Sequence, residues 1–216
     1  MVRETNSSLA LSNIEGTTRT TGLDDDLALV SSSQKGNLDA FELLVMKHQK
    51  RMLNIAFRLM GDYEEACEVV QDAFLAAYRK IREFRGDAKF TTWLTAITVN
   101  LSKNSLKKMQ ARRKHVAFSL DGPLQTENGP LAIDPPSQKP SVLDQLVRRD
   151  IQNSVHECIQ KLDLIFREVL ILRDMQDFSY DDICRMLKMR EGTVKSRLFR
   201  AREMVKNCLK LARGDL

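Results

Sequence analysis

All five prolines of this chain lie between residues 123 and 140, inside DGPLQTENGPLAIDPPSQKP. Proline fixes φ and removes a backbone donor, so neither a helix nor a central strand runs through such a stretch. It reads as an extended linker. On either side no proline interrupts the chain, and apolar residues recur at intervals of three and four. No strand-like alternation survives in either part. The expected fold class is all-α: two small helical domains joined by a flexible Pro-rich linker. The expected divisions are a disordered tail over 1–22, a first domain over 23–113, the linker over 114–141 and a second domain over 142–212.

The periodicity places the helices. Residues 24–61 read as a short helix, a break at KGN, and a second helix with Phe41, Leu44, Val45, His48, Met52, Ile55, Ala56 and Leu59 on one face. Gly61 ends it, and Asp62 with Glu65 forms a D-x-x-E capping pattern for the next helix, which runs to about Phe84. Another is expected from Thr91 to Arg113, with Leu94, Ile97, Thr98, Leu101 and Leu106 inward. In the second domain, helices are expected over Leu143–Lys161 and within LDLIFREVLILRDMQ. Ser179 and Asp182 then cap a short helix, Tyr180 to Leu187. KMRE makes a tight turn, and Gly192-Thr193 opens a last helix with Val194, Leu198, Ala201, Val205 and Leu209 inward. A short helix, a tight turn and a longer basic helix make a helix-turn-helix pattern.

Composition narrows the function classes. A net charge of +5 hints at a polyanionic partner, and its distribution matters more than its size. No run approaches the ~20 apolar residues of a membrane span. The N-terminus lacks an apolar signal core, so a cytoplasmic protein with no direct membrane insertion is expected. Cys67, Cys158, Cys184 and Cys208 are far apart and form no CxxC pair or zinc spacing, so buried reduced thiols are expected. Asp24, Asp25 and Asp26 suit a helix N-terminus better than a metal. HECIQ at 156–160 misses the zinc-protease H-E-x-x-H because Gln160 replaces the second histidine, which leaves His156 as a helix-surface residue. Neither a phosphate loop nor G-x-S-x-G is present, so no enzyme and no cofactor is expected.

Three stretches carry candidate binding chemistry. On the last helix, Thr193, Lys195, Ser196, Arg197, Phe199 and Arg200 lie on or beside the outer face, where a major-groove reader would present them. In FRGDAKFTTWLTAITVNLSKN, Phe84, Arg85, Lys89, Phe90 and Trp93 surround a glycine turn, followed by Asn100, Lys103 and Asn104. Aromatic faces stack on an unpaired base, amides read its edge and cations hold its backbone. On the helix after Asp62, Glu68, Gln71, Asp72 and Leu75 fall opposite the core, an acidic face with an apolar centre that suits a basic partner helix.

At these residues the chain resembles a known family. DYEEACEVVQDAFLAAYRKIREFRG with FTTWLTAITVNLSKN is similar to region two of the extracytoplasmic-function sigma factors of bacterial RNA polymerase. FSYDDICRMLKMREGTVKSRLFRAREMV is similar to their region four. The resemblance implies a sigma factor that binds core RNA polymerase and directs promoter recognition and melting, in a stress or envelope regulon. It implies that Glu68, Gln71, Asp72 and Leu75 meet the polymerase clamp helices. It implies that the 84–90 loop with Trp93, Asn100, Lys103 and Asn104 captures a flipped base of the promoter minus-ten element, and that Thr193 to Arg200 read the minus-thirty-five duplex. An anti-sigma partner, commonly membrane-bound, is implied as well. A dimeric helix-turn-helix regulator is the alternative from the residues alone, but it leaves the 84–104 stretch and the Leu75 face without a purpose.

Overall fold

The computed structural model describes residues 21–116 and 142–213. The expected tail and linker lie outside the described residues, apart from a few positions that belong to helices. Eight α-helices form the described part: α1 (Thr21–Gln34), α2 (Leu38–Met60), α3 (Tyr63–Lys80), α4 (Phe90–Val116), α5 (Val142–Gln160), α6 (Leu164–Leu170), α7 (Tyr180–Leu187) and α8 (Glu191–Arg213). Hence α1 starts inside the expected tail, and α4 continues three residues into the expected linker.

The helix ends follow from capping chemistry. The Asn37 side chain accepts from Ala40 N at 3.2 Å and starts α2. Gly61 closes α2 with φ 77°, a left-handed geometry that a Cβ would strain. Asp62 accepts from Glu65 N at 3.0 Å, and Ser179 accepts from Asp182 N at 3.1 Å. After α3, a 3-10 turn over Ile81–Glu83 leads into the loop before α4. Gln34, at the end of α1, donates to the carbonyls of Ile81 and Phe84 at 2.9 and 2.8 Å, which fixes the start of that loop.

In the first bundle, α2, α3 and α4 pack around Leu44, Met52, Ile55, Leu59, Ala66, Ala73 and Leu94, all but excluded from solvent. The inward face of α4 matches the expected one at Leu94 and Thr98 and departs from it at Thr95, Ser102, Ile97 and Leu101. Thr95, Thr98 and Ser102 are fully buried, while Ile97 and Leu101 are half-buried. Thr98 donates to Leu94 O at 3.0 Å and Ser102 to Thr98 O at 2.9 Å, while Thr95 turns its hydroxyl to Met52 Sδ of α2 at 3.9 Å. A hydroxyl that bonds its own helix can be buried at little cost.

The second bundle packs α6, α7 and α8 around Val169, Ile171, Ile183, Val194, Leu198 and Ala201. After α6 the helix widens into a π-helical turn, Ile171–Met175. Lys188, at φ 53°, makes the tight turn between α7 and α8. Cys158 on α5 and Cys208 on α8 form a disulfide across 50 residues, with their Cα atoms 5.7 Å apart. The expectation of four reduced thiols therefore fails for this pair. Periodicity showed that each cysteine sits on a helix, but not that these two helices lie side by side. Cys67 and Cys184 are free.

The two bundles touch through polar side chains. Arg167 of α6 donates to Leu59 O at 2.6 Å and to Gln160 Oε1 at 2.8 Å, and Gln160 Nε2 donates to Arg58 O at 2.8 Å. His156 is half-buried rather than free on the surface. It stacks on Phe57 with ring centroids 4.9 Å apart. Asp26 serves α2 more than its own helix end: it lies 2.7 Å from Lys47 Nζ and 3.1 Å from His48 Nε2.

Candidate nucleic-acid interface

The loop before α4 forms the first candidate surface. Gly86 turns it with φ 79°. Phe84 and Phe90 are buried, at 8% and 2% exposure, so the two rings hold the loop in place rather than offer free faces. Trp93 packs on both, with centroids 5.1 and 5.8 Å away, yet stays half-exposed. A cleft of about 400 Å³ opens here, lined by Phe84, Arg85, Gly86, Asp87, Thr92 and Trp93, with Arg185 and Met186 of α7 on its far side. The structure thus places Arg85 and Trp93 around one cavity. Exposed Lys89 lies on the same loop.

The other residues expected for this surface are spread along α4. Asn100 is exposed, about 10 Å further along the helix at 1.5 Å per residue. Asn104 lines a separate cleft of about 490 Å³ between α3 and α4, where Glu65, Glu68 and Asp72 face Lys108 and Arg112. Lys103 turns the other way and meets Glu168 of α6 at 2.8 Å. The pattern did not single out Thr92 or Arg185 as partners of this loop. Thr92 is buried and donates to Asp182 Oδ1 at 3.2 Å, and Arg185 donates to Asp87 O at 3.4 Å. No local sequence signal announces contacts between residues some ninety positions apart.

The second surface is the outer face of α3. Glu68, Gln71 and Asp72 are exposed, and Leu75 among them is 53% exposed. Positions three, four and seven apart share one helical face, so the four residues form one patch.

The third surface is the N-terminal half of α8. Phe199 is 69% exposed, and Ser196 and Arg200 are exposed beside it. Lys195 pairs with Glu191 at 2.6 Å, which raises its pKa, and its ammonium sits 5.5 Å from the Tyr180 ring centroid. Arg197 is partly buried, with its guanidinium against Met189 Sδ and 3.8 Å from Glu168. It braces the helix-turn-helix more than it faces outward. Thr193 is half-buried, and its carbonyl accepts from Ser196 Oγ at 3.1 Å.

Among the described residues no helix is long and apolar enough to cross a membrane.

Comparison with known proteins agrees with this arrangement. Sigma-70 region 2 matches residues 44–113, and Sigma-70, region 4 matches residues 152–205. The RNA polymerase sigma-H factor of Pseudomonas aeruginosa is 37% identical over 186 residues, covering 86% of this chain and 94% of that protein. The ECF RNA polymerase sigma-E factor of Escherichia coli K12 is 33% identical over 193 residues, covering 84% and 93%. Among solved structures, the sigma factor RpoE in complex with the anti-sigma factor NepR from Bartonella quintana superposes with a TM-score of 0.59 at 25% identity, covering 82% of this chain and all of that one. CnrH in complex with the cytosolic domain of CnrY shares the fold, with a TM-score of 0.62 at 23% identity, covering 87% and 99%. Helices α2 to α4 carry region two, α5 to α8 carry region four, and nearly the whole length of the relatives is matched: the chain belongs to the extracytoplasmic-function sigma factors, non-enzymatic subunits that join core RNA polymerase and direct promoter recognition at transcription initiation.

Proposed function

We propose a division of labour among the three surfaces. The α3 patch of Glu68, Gln71, Asp72 and Leu75 docks on core polymerase. The loop cleft, with Arg85, Lys89 and Trp93 backed by Phe84 and Phe90, takes an extruded base of the minus-ten element. Asn100, Lys103 and Asn104 follow the same strand along α4. Thr193, Lys195, Ser196, Phe199 and Arg200 read the minus-thirty-five duplex, with Arg197 bracing them. Residues 23–113 and 142–212 act as the two binding domains, and 114–141 joins them.

The observation that carries this reading is Leu75, a large apolar side chain left 53% exposed at the centre of an acidic patch. A dimeric DNA-binding regulator has no use for that patch, whereas a subunit that docks on a larger enzyme requires one. Extruding a base costs a few kcal/mol per unstacked step, and a cleft that stacks and holds the base offsets part of it.

An anti-sigma protein as regulator, a stress or envelope regulon and a cytoplasmic setting fit the same reading. Disulfides are rare in that compartment, so the Cys158–Cys208 bond is the feature least expected there. The test is reconstituted transcription: the purified protein, core polymerase lacking any sigma, and genomic fragments, with transcript starts mapped. Discrete starts downstream of a shared two-part motif support the reading. Tight DNA binding by a dimer, with no complex on core polymerase, overturns it.

A further inference from the structure

None of the three surfaces makes use of α1, and the region 2 match begins at residue 44, after α1 and the first turns of α2. Yet α1 meets both feet of the loop that Gly86 turns. At the first foot one side-chain amide, Gln34 Nε2, donates to Ile81 O at 2.9 Å and to Phe84 O at 2.8 Å. Ile81 O also accepts from Phe84 N at 3.2 Å. Gln34 therefore spans the bond that closes the 3-10 turn and holds the carbonyl from which the loop departs. Glutamine suits this place because its amide carries two N–H donors, one for each carbonyl. At the second foot Asp26 Oδ2 lies 3.1 Å from His48 Nε2, and the His48 ring packs on Phe90, the first residue of α4, with centroids 5.5 Å apart.

Both routes end on one side chain. Phe84 and Phe90 stand edge to face, 5.9 Å apart, and Trp93 rests on both. The two phenylalanines are buried, so Trp93 is the ring of this cluster left half-exposed at the cleft. The Phe84 ring and the Phe84 carbonyl belong to one residue, so a shift of the carbonyl moves the ring beneath Trp93. A platform that must stack on a base binds best when it is already in place, because a mobile one has to be ordered at the moment of capture. Meanwhile α1 is seated without help from Gln34: Val30 and Ser33 are each 3% exposed against the rest of the bundle.

We infer that Gln34 is a positioning residue for promoter melting: it fixes Phe84, and through Phe84 the Trp93 platform that receives the extruded minus-ten base, while Asp26 and His48 brace Phe90 at the other foot. Gln34 acts through these rings and not by touching DNA. The inference rests on the assignment of the loop cleft to the minus-ten element.

The test uses full-length Gln34→Met, which keeps the side-chain length and removes both donors. Gln34→Ala takes its place if the methionine variant does not fold. Three affinities are measured: competition with labelled wild type for core polymerase, holoenzyme binding to minus-thirty-five duplex, and holoenzyme binding to a single strand carrying the minus-ten element of a promoter mapped in the reconstituted transcription above, against a scrambled strand. The first two should stay within about twofold of wild type, since neither surface touches α1. The third should weaken at least about fivefold, the size of one or two lost hydrogen bonds. Trp93 is the single tryptophan of the chain, so acrylamide quenching of the free protein reads its exposure directly, and quenching should rise in the variant. A variant that captures the minus-ten strand as well as wild type overturns the inference. So does a parallel fall in all three affinities, which is general loss of structure. Wild-type holoenzyme that does not prefer the minus-ten strand to the scrambled one counts against the loop assignment itself. Quenching, which needs no DNA, then decides whether Gln34 holds the loop, and equal quenching in wild type and variant overturns the brace as well.

Discussion

Leu75→Ala separates polymerase docking from folding. Burying a leucine side chain fully is worth about 1.5–3 kcal/mol. Leu75 is 53% exposed, so roughly half of that, about 0.8–1.6 kcal/mol, is left to be gained on docking. Truncation to alanine forfeits most of it, which corresponds to a loss of about 4- to 15-fold in affinity for core polymerase. The fold should not notice: no cavity forms when an exposed side chain is shortened, and urea melts should agree within about 0.5 kcal/mol. Leu75→Met, which keeps the volume, should bind within about twofold of wild type. The assay is competition between labelled wild type and each variant for core polymerase. An alanine variant that competes as well as wild type refutes the docking assignment. A loss of more than about 1 kcal/mol in the melt would show instead that Leu75 is packed in the fold.

Three further outcomes follow from local geometry. Gly61→Ala strains a left-handed residue at φ 77° and would put a Cβ 2.8 Å from Gln160 Oε1, so the urea midpoint should fall by the equivalent of about 1–2 kcal/mol; an unchanged midpoint contradicts the cap and the seam it meets. Phe199→Ala should leave the melt unchanged, because the ring is 69% exposed, and weaken binding of the holoenzyme to minus-thirty-five duplex by about fivefold or more; unaltered binding removes Phe199 from that surface. His48 and His156 are both held below the ordinary histidine pKa, by burial first, and His156 further by the cations Arg58 and Arg167. The unfolded chain then binds more protons than the folded one just below the unfolded pKa of about 6.5. Stability is therefore fully present above that value and declines as pH falls through the folded pKa values. Melting temperature should drop between about pH 7.5 and 5.5, and His156→Gln should flatten part of the slope; a melting temperature that rises on acidification reverses the sign and contradicts the burial of both rings.

The helices were legible because their signals are local. Asp62 and Ser179 cap where the S/T/D-x-x-E/D spacing placed them, and Gly61 takes the positive φ that its place after an apolar run suggested. The exposed α3 patch was legible for the same reason, since one helical period decides which residues face away from the core. The inner face of α4 was legible at Leu94 and Thr98 but not at Thr95 and Ser102. Those two look polar in a list of residues, but Ser102 bonds its own helix and Thr95 turns its hydroxyl to Met52 Sδ, contacts that periodicity does not register. The loop aromatics were half legible: clustering pointed to a site, but whether a ring is a wall or a free face depends on packing, which buries Phe84 and Phe90 and leaves Trp93 at the rim.

The seam between the bundles was illegible for a reason that also bears on how it works. Its partners are largely backbone carbonyls and amides. Across it Arg167 reaches Leu59 O, held in place by Gln160 and Leu162 of its own bundle, and Arg51 reaches the carbonyl and side chain of Gln176, with no carboxylate in either set. Leu59 and Gln160 lie in the last turns of α2 and α5, where carbonyls lack helical partners and attract a cation. A carbonyl acceptor leaves no mark in the amino-acid pattern, so these arginines read as ordinary solvated charges. Groups of this kind exchange their partners for water at a modest net cost, about 0.5–1.5 kcal/mol for a typical hydrogen bond. Apolar surface has no such exchange available. The polar part of the seam, made of arginines, glutamines and carbonyls, can therefore trade its partners for water at small net cost, while the apolar cluster that runs on beneath it cannot.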